Sequence, residues 1–280
     1  MKQDSISIVT VCFNARETIE STIQSVLSQD YPGIEYIIID GGSSDGTQEI
    51  ISRYADQISL FISEKDNGIY DAMNKGLAAA SGEWIHFRNA GDLFLSERSL
   101  SLFFEKKIDK EVQIVFGDCI YINEWGYRLM KPGILTHNHK TGMPVLHPAT
   151  FVRTAYHKQH PFDLSFQSSG DYKFMYECFE DGIRMEYRPI PVASFPTGGF
   201  AMKNLKRTYR EDCRIQGLDK SFWGRIQSGI GYGILCIKLT ALNLCTHFRW
   251  LQRIRKRMLK SRNWKDLPVP IDQLYSEAHD

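Results

Sequence analysis

Acidic and amide side chains recur wherever an apolar run of this chain ends. Asn89-Ala90-Gly91-Asp92 follows Glu83–Phe87, and Asp40-Gly41-Gly42 follows Glu35–Ile39. Asp66-Asn67-Gly68 precedes a helical pattern, and Asp171 stands in Ser168-Ser169-Gly170-Asp171-Tyr172 before another. Carboxylates in such loops offer two kinds of chemistry: oxygen ligands for a hard divalent cation, and a general base. Each has a plainer reading beside it. Asn, Gly and Asp are ordinary turn residues; Asp45, followed by Thr47 and Gln48, caps a helix; an acid in a first turn, as Asp171 would be, complements the helix dipole. A single histidine within an apolar run, as His147 is in Pro144–Val152, is more often structural than catalytic.

Periodicity supplies the elements that would hold these residues. Ser5–Cys12 is a nearly continuous apolar run of strand length, as in a buried parallel strand. Asn14 and Glu17 have the spacing of a capping box, and Ile19, Ile23, Val26 and Leu27 form the inward stripe of a helix ending near Gln29, before Pro32. Glu35–Ile39 is a second strand and Ile58–Ile62 a third, with Ile50, Ile51 and Tyr54 on a helix between them. Ala72, Met73, Gly76, Leu77 and Ala80 share one helical face, and Glu83–Phe87 reads as a fourth strand. Repeated β-α units predict an α/β fold with a doubly wound, mostly parallel sheet flanked by helices. In such sheets ligands bind outside the carboxyl ends of the strands, where the acidic loops fall.

Later segments predict a helix from Ser96 to Lys107, a strand at Gln113–Phe116 and a hairpin from Cys119 to Met130 turning at Asn123–Gly126. Pro144–Val152 reads as a strand containing His147, followed by a helix with Phe174, Met175, Cys178 and Phe179 inward. The first turn, CFNARE, lacks GxGxxG, and no GxxxxGK[ST] loop is present. A phosphate-bearing ligand would therefore be neutralised most simply by a metal ion on a carboxylate.

The 280 residues, 24% charged and 42% hydrophobic, fit one catalytic domain with a C-terminal appendage and exclude disordered and polytopic membrane classes. The chain opens without a secretory signal pattern, so a cytoplasmic protein is expected. Cys12, Cys119, Cys178, Cys213, Cys236 and Cys245 form no CxxC or zinc-ligand spacing and read as reduced, mostly buried thiols. The net charge of +1 conceals an asymmetry: Lys203–Lys265 carries 16 Lys/Arg against 3 Asp/Glu, which suggests two parts with different tasks. Ser228–Cys245 is apolar over almost a membrane span, but Lys238 interrupts it, and a charge near mid-span costs about 2.5–3.5 kcal/mol. His247–Lys265 mixes Arg and Lys with Phe248, Trp250, Leu251 and Ile254, the pattern of an interfacial helix on anionic lipid. The competing reading is a basic helix packed on its own domain or on a homodimer partner. Nucleic acid is not an expected partner, since no recognised binding module accompanies the cations.

With these pieces in place, the chain resembles the family 2 glycosyltransferases of GT-A fold, inverting enzymes that use nucleotide sugars. The resemblance rests on SIVTVCFNARETIESTIQSVLSQDYPGIEYIIIDGGSSDGT and on EKDNGIYDAMNKGLAAASGEW followed by NAGD. IYDAMNKG, the HxATF segment and GDY are most similar to the polysaccharide-assembly branch typified by the colanic acid glycosyltransferases. Likeness extends from Ser5 to about Phe200. It implies a GT-A catalytic domain over residues 1–202, with a nucleotide-sugar half (1–117) and an acceptor half (118–202), and a basic helical region (203–280) associated with the membrane surface.

It also implies roles. Thr10, Cys12 and Asn14 would line the nucleotide side, Asp40 would contact base or ribose, Asp66, Asn67 and Gly68 would border diphosphate and donor sugar, and Asn74 would shape the pocket. The family's DxD loop falls on Asn89-Ala90-Gly91, leaving Asp92 as ligand of a divalent metal ion (Mn or Mg), with Asn89 and Ala90 beside phosphate or sugar. Asp171 would be the catalytic base. His147 and the Thr197-Gly198-Gly199 loop would face acceptor and diphosphate, with Lys203, Lys206 and Arg207 closing over the phosphates. Arg88 stands where the family more often has an apolar residue. The partners implied are a nucleotide-diphosphate sugar, a saccharide acceptor that is lipid-linked, and an anionic membrane surface. Two other readings compete: a nucleotide-sugar-binding protein without catalysis, suggested by the thinned acidic loop, and a sugar-nucleotide nucleotidyltransferase, which would need a GxGxR-type loop that CFNARE does not supply.

Overall fold

The computed structural model describes residues 4–123, 126–133, 142–196 and 204–247. Apolar runs pair into one sheet whose central strands, β1 (Ile6–Cys12) and β4 (Trp84–Phe87), are buried at every position. β1 pairs in parallel with β2 (Ile34–Asp40) on one side and β4 on the other. β3 (Leu60–Ser63) continues the parallel set beside β2. Beyond β4 the sheet becomes mixed. With β5 (Leu93–Phe94), β6 (Ile114–Asn123), β7 (Gly126–Met130), β8 (Thr150–Arg153) and β9 (Met185–Pro196), its order is β3-β2-β1-β4-β8-β6-β9-β5, and β7 hangs on β6. β8 runs antiparallel to β4 and β6, whereas β9 runs parallel to β6.

Strand alternation divides the core into two layers. Ile6, Ile8 and Cys12 of β1 face a cluster with Ile19, Ile23 and Val26 of α1 (Ile19–Leu27), Ile50 and Ile51 of α2 (Thr47–Ser52), and Leu100 and Phe103 of α4 (Ser99–Phe103). Val9 and Val11 face the opposite cluster, with Tyr70, Met73 and Leu77 of α3 (Ile69–Ala79) and Phe174, Met175 and Cys178 of α6 (Gly170–Glu180). Each fully buried side chain of this size contributes about 1.5–3 kcal/mol. Gly76 lets α3 lie directly on the sheet, because a Cβ there would collide with Val9 Cγ1. That contact fixes where the first turn of α3 points.

Several boundaries differ from the sequence reading. Asn14 and Glu17 form no capping box: α1 starts at Ile19 without a side-chain cap, and Asn14 adopts φ 47° to bridge to the loop after β2. The helix expected from Ser96 to Lys107 is only Ser99–Phe103. His147 is not in a strand. Pro148 cannot donate to a ladder, and His147–Ala149 forms a 3-10 turn before β8. The hairpin pairs as expected, Asn123 opposite Gly126. At the C-terminal end α7 (Leu205–Ile215) precedes α8 (Phe222–His247), and α5 (Thr154–Gln159) follows β8. Among the described residues no helix is long and apolar enough to cross a membrane. The rest of the basic segment after His247, and Gly198 and Gly199, lie outside the described residues.

Candidate active site

Register alone gathers the acidic loops. Cys12 pairs with Asp40, Asp40 with Ser63, and Val9 with Phe87, so β1 to β4 end side by side. The loops after them share one edge of the sheet. Ala90 N still donates to Val11 O at 3.2 Å, which carries the pairing of β4 into the Asn89–Asp92 loop.

That loop is a tight turn. Asp92 N donates to Asn89 O at 3.0 Å, and Gly91 takes φ 101°, a conformation that favours glycine. Thr22 of α1 clasps it: the Thr22 hydroxyl accepts from Gly91 N at 2.9 Å and lies 3.3 Å from Asp92 O. The Asp92 carboxyl is half-buried, and burial pushes it up to about 7, while the nearby Arg88 guanidinium pulls the other way. Arg88 is fully buried, stacks at 3.8 Å on the Phe94 ring and reaches Leu93 O at 3.4 Å. Its Nε and Nη2, and the buried Oδ1 of Asn89, have no hydrogen-bond partner. Burial also lowers the Arg88 pKa to about 10, which leaves it cationic at neutral pH.

These observations bear on a divalent cation. No group of three or more His, Cys, Asp or Glu that could hold a metal occurs among the described residues. Asp92 offers a carboxylate disfavoured by burial, and Asn89 an orphaned amide oxygen. Both are hard oxygen donors, the kind that Mg²⁺ or Mn²⁺ takes one or two at a time when substrate phosphates complete its shell. The residues fit a cation that arrives with a diphosphate.

The side chains around the ends of β1 and β2 are closely hydrogen-bonded. Asp40 is fully buried; its carboxylate accepts from Ser43 N at 2.9 Å, from Ser63 Oγ at 2.6 Å and from Ser43 Oγ. It therefore organises the loop after β2. Thr10 is also buried and shares a 3.0 Å hydrogen bond with Tyr36 Oη. Asn74 makes a two-way clasp with the Phe162 backbone, at 2.9 Å each way, and so ties α3 to the segment before α6. Asn14 stays at the edge, its Oδ1 accepting from Ser44 N at 3.1 Å. Cys12 lies 3.6 Å from Asp40 Oδ1, and burial with that carboxylate raises its thiol pKa, so no thiolate forms. Asp45 does serve α2, accepting from Thr47 N at 3.1 Å. Phe13, 65% exposed, is an aromatic face at this edge that the sequence reading passed over.

The Asp66–Gly68 loop is held by Lys75, whose Nζ lies 2.6 Å from Asp66 Oδ1 and 2.8 Å from Glu64 Oε1. Asn67 N donates to Asp71 Oδ2 at 2.9 Å, and Gly68 caps α3 with φ 116°. Two residues on, Tyr70 Oη donates to Asp171 Oδ1 at 2.9 Å. Asp171 also accepts from Tyr172 N at 2.9 Å and sits in the first turn of α6. With His147, Phe87, Thr150, His157 and Phe162 it lines a cavity of about 20 Å³, room for a water molecule. The His147 ring stacks 6.2 Å from Phe87, the last residue of β4. Burial lowers its pKa, Asp171 raises it and Arg88 lowers it again. Asp92 is not among the residues that line this cavity.

The acidic loops lie along one carboxyl edge of an α/β sheet, the place where ligands bind in such folds. The sequence profile of glycosyl transferase family 2 matches residues 7–160, more than half of the chain, and the chain belongs to that family. A glycosyltransferase of Mycobacterium tuberculosis is 41% identical over 91 residues, 32% of this chain and 35% of that protein. A Bacillus subtilis glycosyltransferase named for teichuronic acid biosynthesis is 31% identical over 128 residues, 45% of this chain and 47% of that one. The chain therefore spans less than half the length of either relative. A mannosyltransferase of Pyrobaculum calidifontis, solved in complex with GDP-Man and Mn²⁺, shares the fold with a TM-score of 0.61 at 18% identity, over 79% of this chain and 64% of that one. The fold is of the GT-A type.

Proposed function

We propose that the chain transfers a sugar from a nucleotide-diphosphate sugar to a saccharide acceptor in surface polysaccharide biosynthesis. The observation that carries this reading is the convergence of the Asp40, Asp66 and Asp92 loops on one sheet edge, with Asp171 tied by the Tyr70 hydroxyl to the first turn of α3, just after the Asp66–Gly68 loop. Asp171 takes the proton from the acceptor hydroxyl as that oxygen attacks the anomeric carbon, a contribution of roughly 10² to 10⁴ in rate for a placed base. The new oxygen–carbon bond forms as the bond to the diphosphate breaks on the opposite face. One base and one displacement give inversion. Asp92 and the Asn89 Oδ1 would hold a divalent cation that, when bound, neutralises charge on the leaving diphosphate. The mannosyltransferase solved with GDP-Man and Mn²⁺ supports the donor class and the cation by shared fold.

In this reading residues 1–202 carry catalysis, and residues 203–280 attach the protein to the cytoplasmic face of the membrane, where a lipid-linked acceptor is presented. The basic balance of Lys203–Lys265 supports the second part.

The test is release of labelled sugar from UDP-, GDP- and dTDP-linked donors by the purified chain, with Mn²⁺, Mg²⁺ or a chelator. Turnover of one donor, lowered by chelation, is expected. Binding of a donor without turnover under any condition would leave only a nucleotide-sugar-binding protein.

A further inference from the structure

A groove of about 710 Å³ runs along α7, lined by Lys206, Arg207, Arg210, Glu211 and Arg214. Glu211 does not neutralise it. Its carboxylate accepts from the backbone N–H groups of Gln167, Ser168 and Ser169 at 3.0, 2.8 and 2.9 Å, which anchors α7 to the turn that leads into Asp171. Arg214 is engaged by Ser165 Oγ at 2.7 Å and by the Phe166 ring at 4.3 Å. Lys206, Arg207 and Arg210 are exposed and make no ion pair among the described residues. Three cations thus share a concave surface without a counter-charge, which is the electrostatics of a phosphate site.

The helix that crosses α7 carries the opposite chemistry. α8 is tied on by Tyr209, whose hydroxyl donates to Ser228 O at 3.0 Å. It leaves Trp223 75%, Ile230 60%, Ile234 49% and Ile237 70% exposed. Ile226, Ile230, Ile234 and Ile237 follow a four-four-three spacing and form one face. A stripe of this size open to water marks an interaction surface.

We propose that α7 and α8 form a seat for an anionic lipid bilayer, with Lys206, Arg207 and Arg210 on lipid phosphates and the α8 isoleucines in the acyl boundary. This rests on the lipid-linked acceptor of the preceding reading and assigns the surface that meets the lipid. α7 packs on the 228–232 face of α8 and the isoleucines point away from it, so the apolar face can meet hydrocarbon while the cations of the helix behind it reach lipid phosphates. A soluble phosphate accounts for the groove but not for the stripe. A second copy of the chain covering α8 accounts for the stripe but leaves the cations uncompensated. Glu211 gives the seat a consequence for catalysis, since the turn it caps is the one that presents Asp171.

The full chain is sedimented with vesicles of phosphatidylcholine alone or of phosphatidylcholine and phosphatidylglycerol, at low and high salt. Binding only to the anionic vesicles, weakened by salt, is expected. Arg210→Ala should weaken it about fivefold and Arg207→Ala/Arg210→Ala about thirtyfold. Ile230→Ser/Ile234→Ser should weaken it at high salt as well. The residues are exposed, and melting curves check that each variant folds. Wild-type affinity in both double variants would overturn the seat. So would tight binding of inorganic pyrophosphate without vesicle binding, or a dimer that Ile230→Ser/Ile234→Ser dissolves. Nucleotide-sugar binding is measured separately without vesicles: its failure alone overturns the transferase reading, and loss of vesicle binding alone overturns the seat.

Discussion

Tyr70, in the first turn of α3, donates a hydrogen bond to Asp171 in the first turn of α6, at 2.9 Å and across 101 residues of sequence. The loop before Tyr70 holds Asp66, Asn67 and Gly68, so this loop and the proposed base are linked through one hydroxyl. Tyr70 is 5% exposed, and its ring lies 5.3 Å from that of Phe162. The packing holds the hydroxyl in place.

Tyr70→Phe removes this bond without removing the ring. A hydrogen bond to an ionised group contributes about 1.5–3 kcal/mol. Transfer is expected to fall roughly tenfold or more, with donor affinity unchanged, in parallel rate and binding measurements. Equal losses in both would mean that Tyr70 supports the fold and not the base.

Gly170→Ala should act on the same joint from the other side. A Cβ there would lie 2.8 Å from Tyr70 Cε2. Overpacking of this kind costs about 1–3 kcal/mol, so a lower melting temperature is expected together with reduced transfer. A variant as stable and as active as wild type would show that Tyr70 is free to move.

The Asp92 carboxyl gives a signed pH dependence. Its ordinary value is 3.8, and burial raises it to about 7 in the fold. Between these values the folded chain holds the proton more often than the unfolded chain, so this contribution to stability falls as pH rises from about 4 through about 7. Burial lowers His157 to about 4 and depresses His86 strongly. Those groups act in the opposite direction below about pH 6.5, because the unfolded chain binds their protons first. The quantity to follow is therefore the melting temperature of Asp92→Asn minus that of wild type. It should rise with pH across this window and level off above about 7. A difference that does not change with pH would place Asp92 in water.

Much of the scaffold is legible in the residues. β1, β2 and β4 are apolar runs buried on both faces, and their bounds shift by only a residue or so. The loops that follow them could be placed on one edge without coordinates. Parallel pairing supplies that register. Where side chains compete, sequence is a poorer guide. Thr10, Asp40 and Asn74 are polar residues near the acidic loops in sequence pattern, and Tyr36, two serines and the Phe162 backbone take up their hydrogen bonds. Nothing in their spacing announces those long-range partners. The apolar run around His147 predicts a strand because it hides the effect of Pro148. Tyr70 lies inside IYDAMNKG, where nothing local points to its partner Asp171. Glu211 joins α7 to α6 across more than 40 residues, beyond any local pattern.

Asn89→Asp restores an acid at the first position of the loop. Two carboxylates should hold Mn²⁺ without the nucleotide at least about tenfold more tightly than the wild-type pair of Asp92 and an amide. Free Mn²⁺ measured by electron paramagnetic resonance reports this directly. No gain in affinity would mean that the added carboxylate turns to the unpartnered nitrogens of Arg88 instead.

Asp171→Asn tests the account most directly, through paired measurements of sugar transfer and donor affinity at neutral pH. The prediction is a loss of transfer of roughly 10² or more with donor affinity unchanged. Transfer at the wild-type rate would contradict it and remove Asp171 from the chemistry.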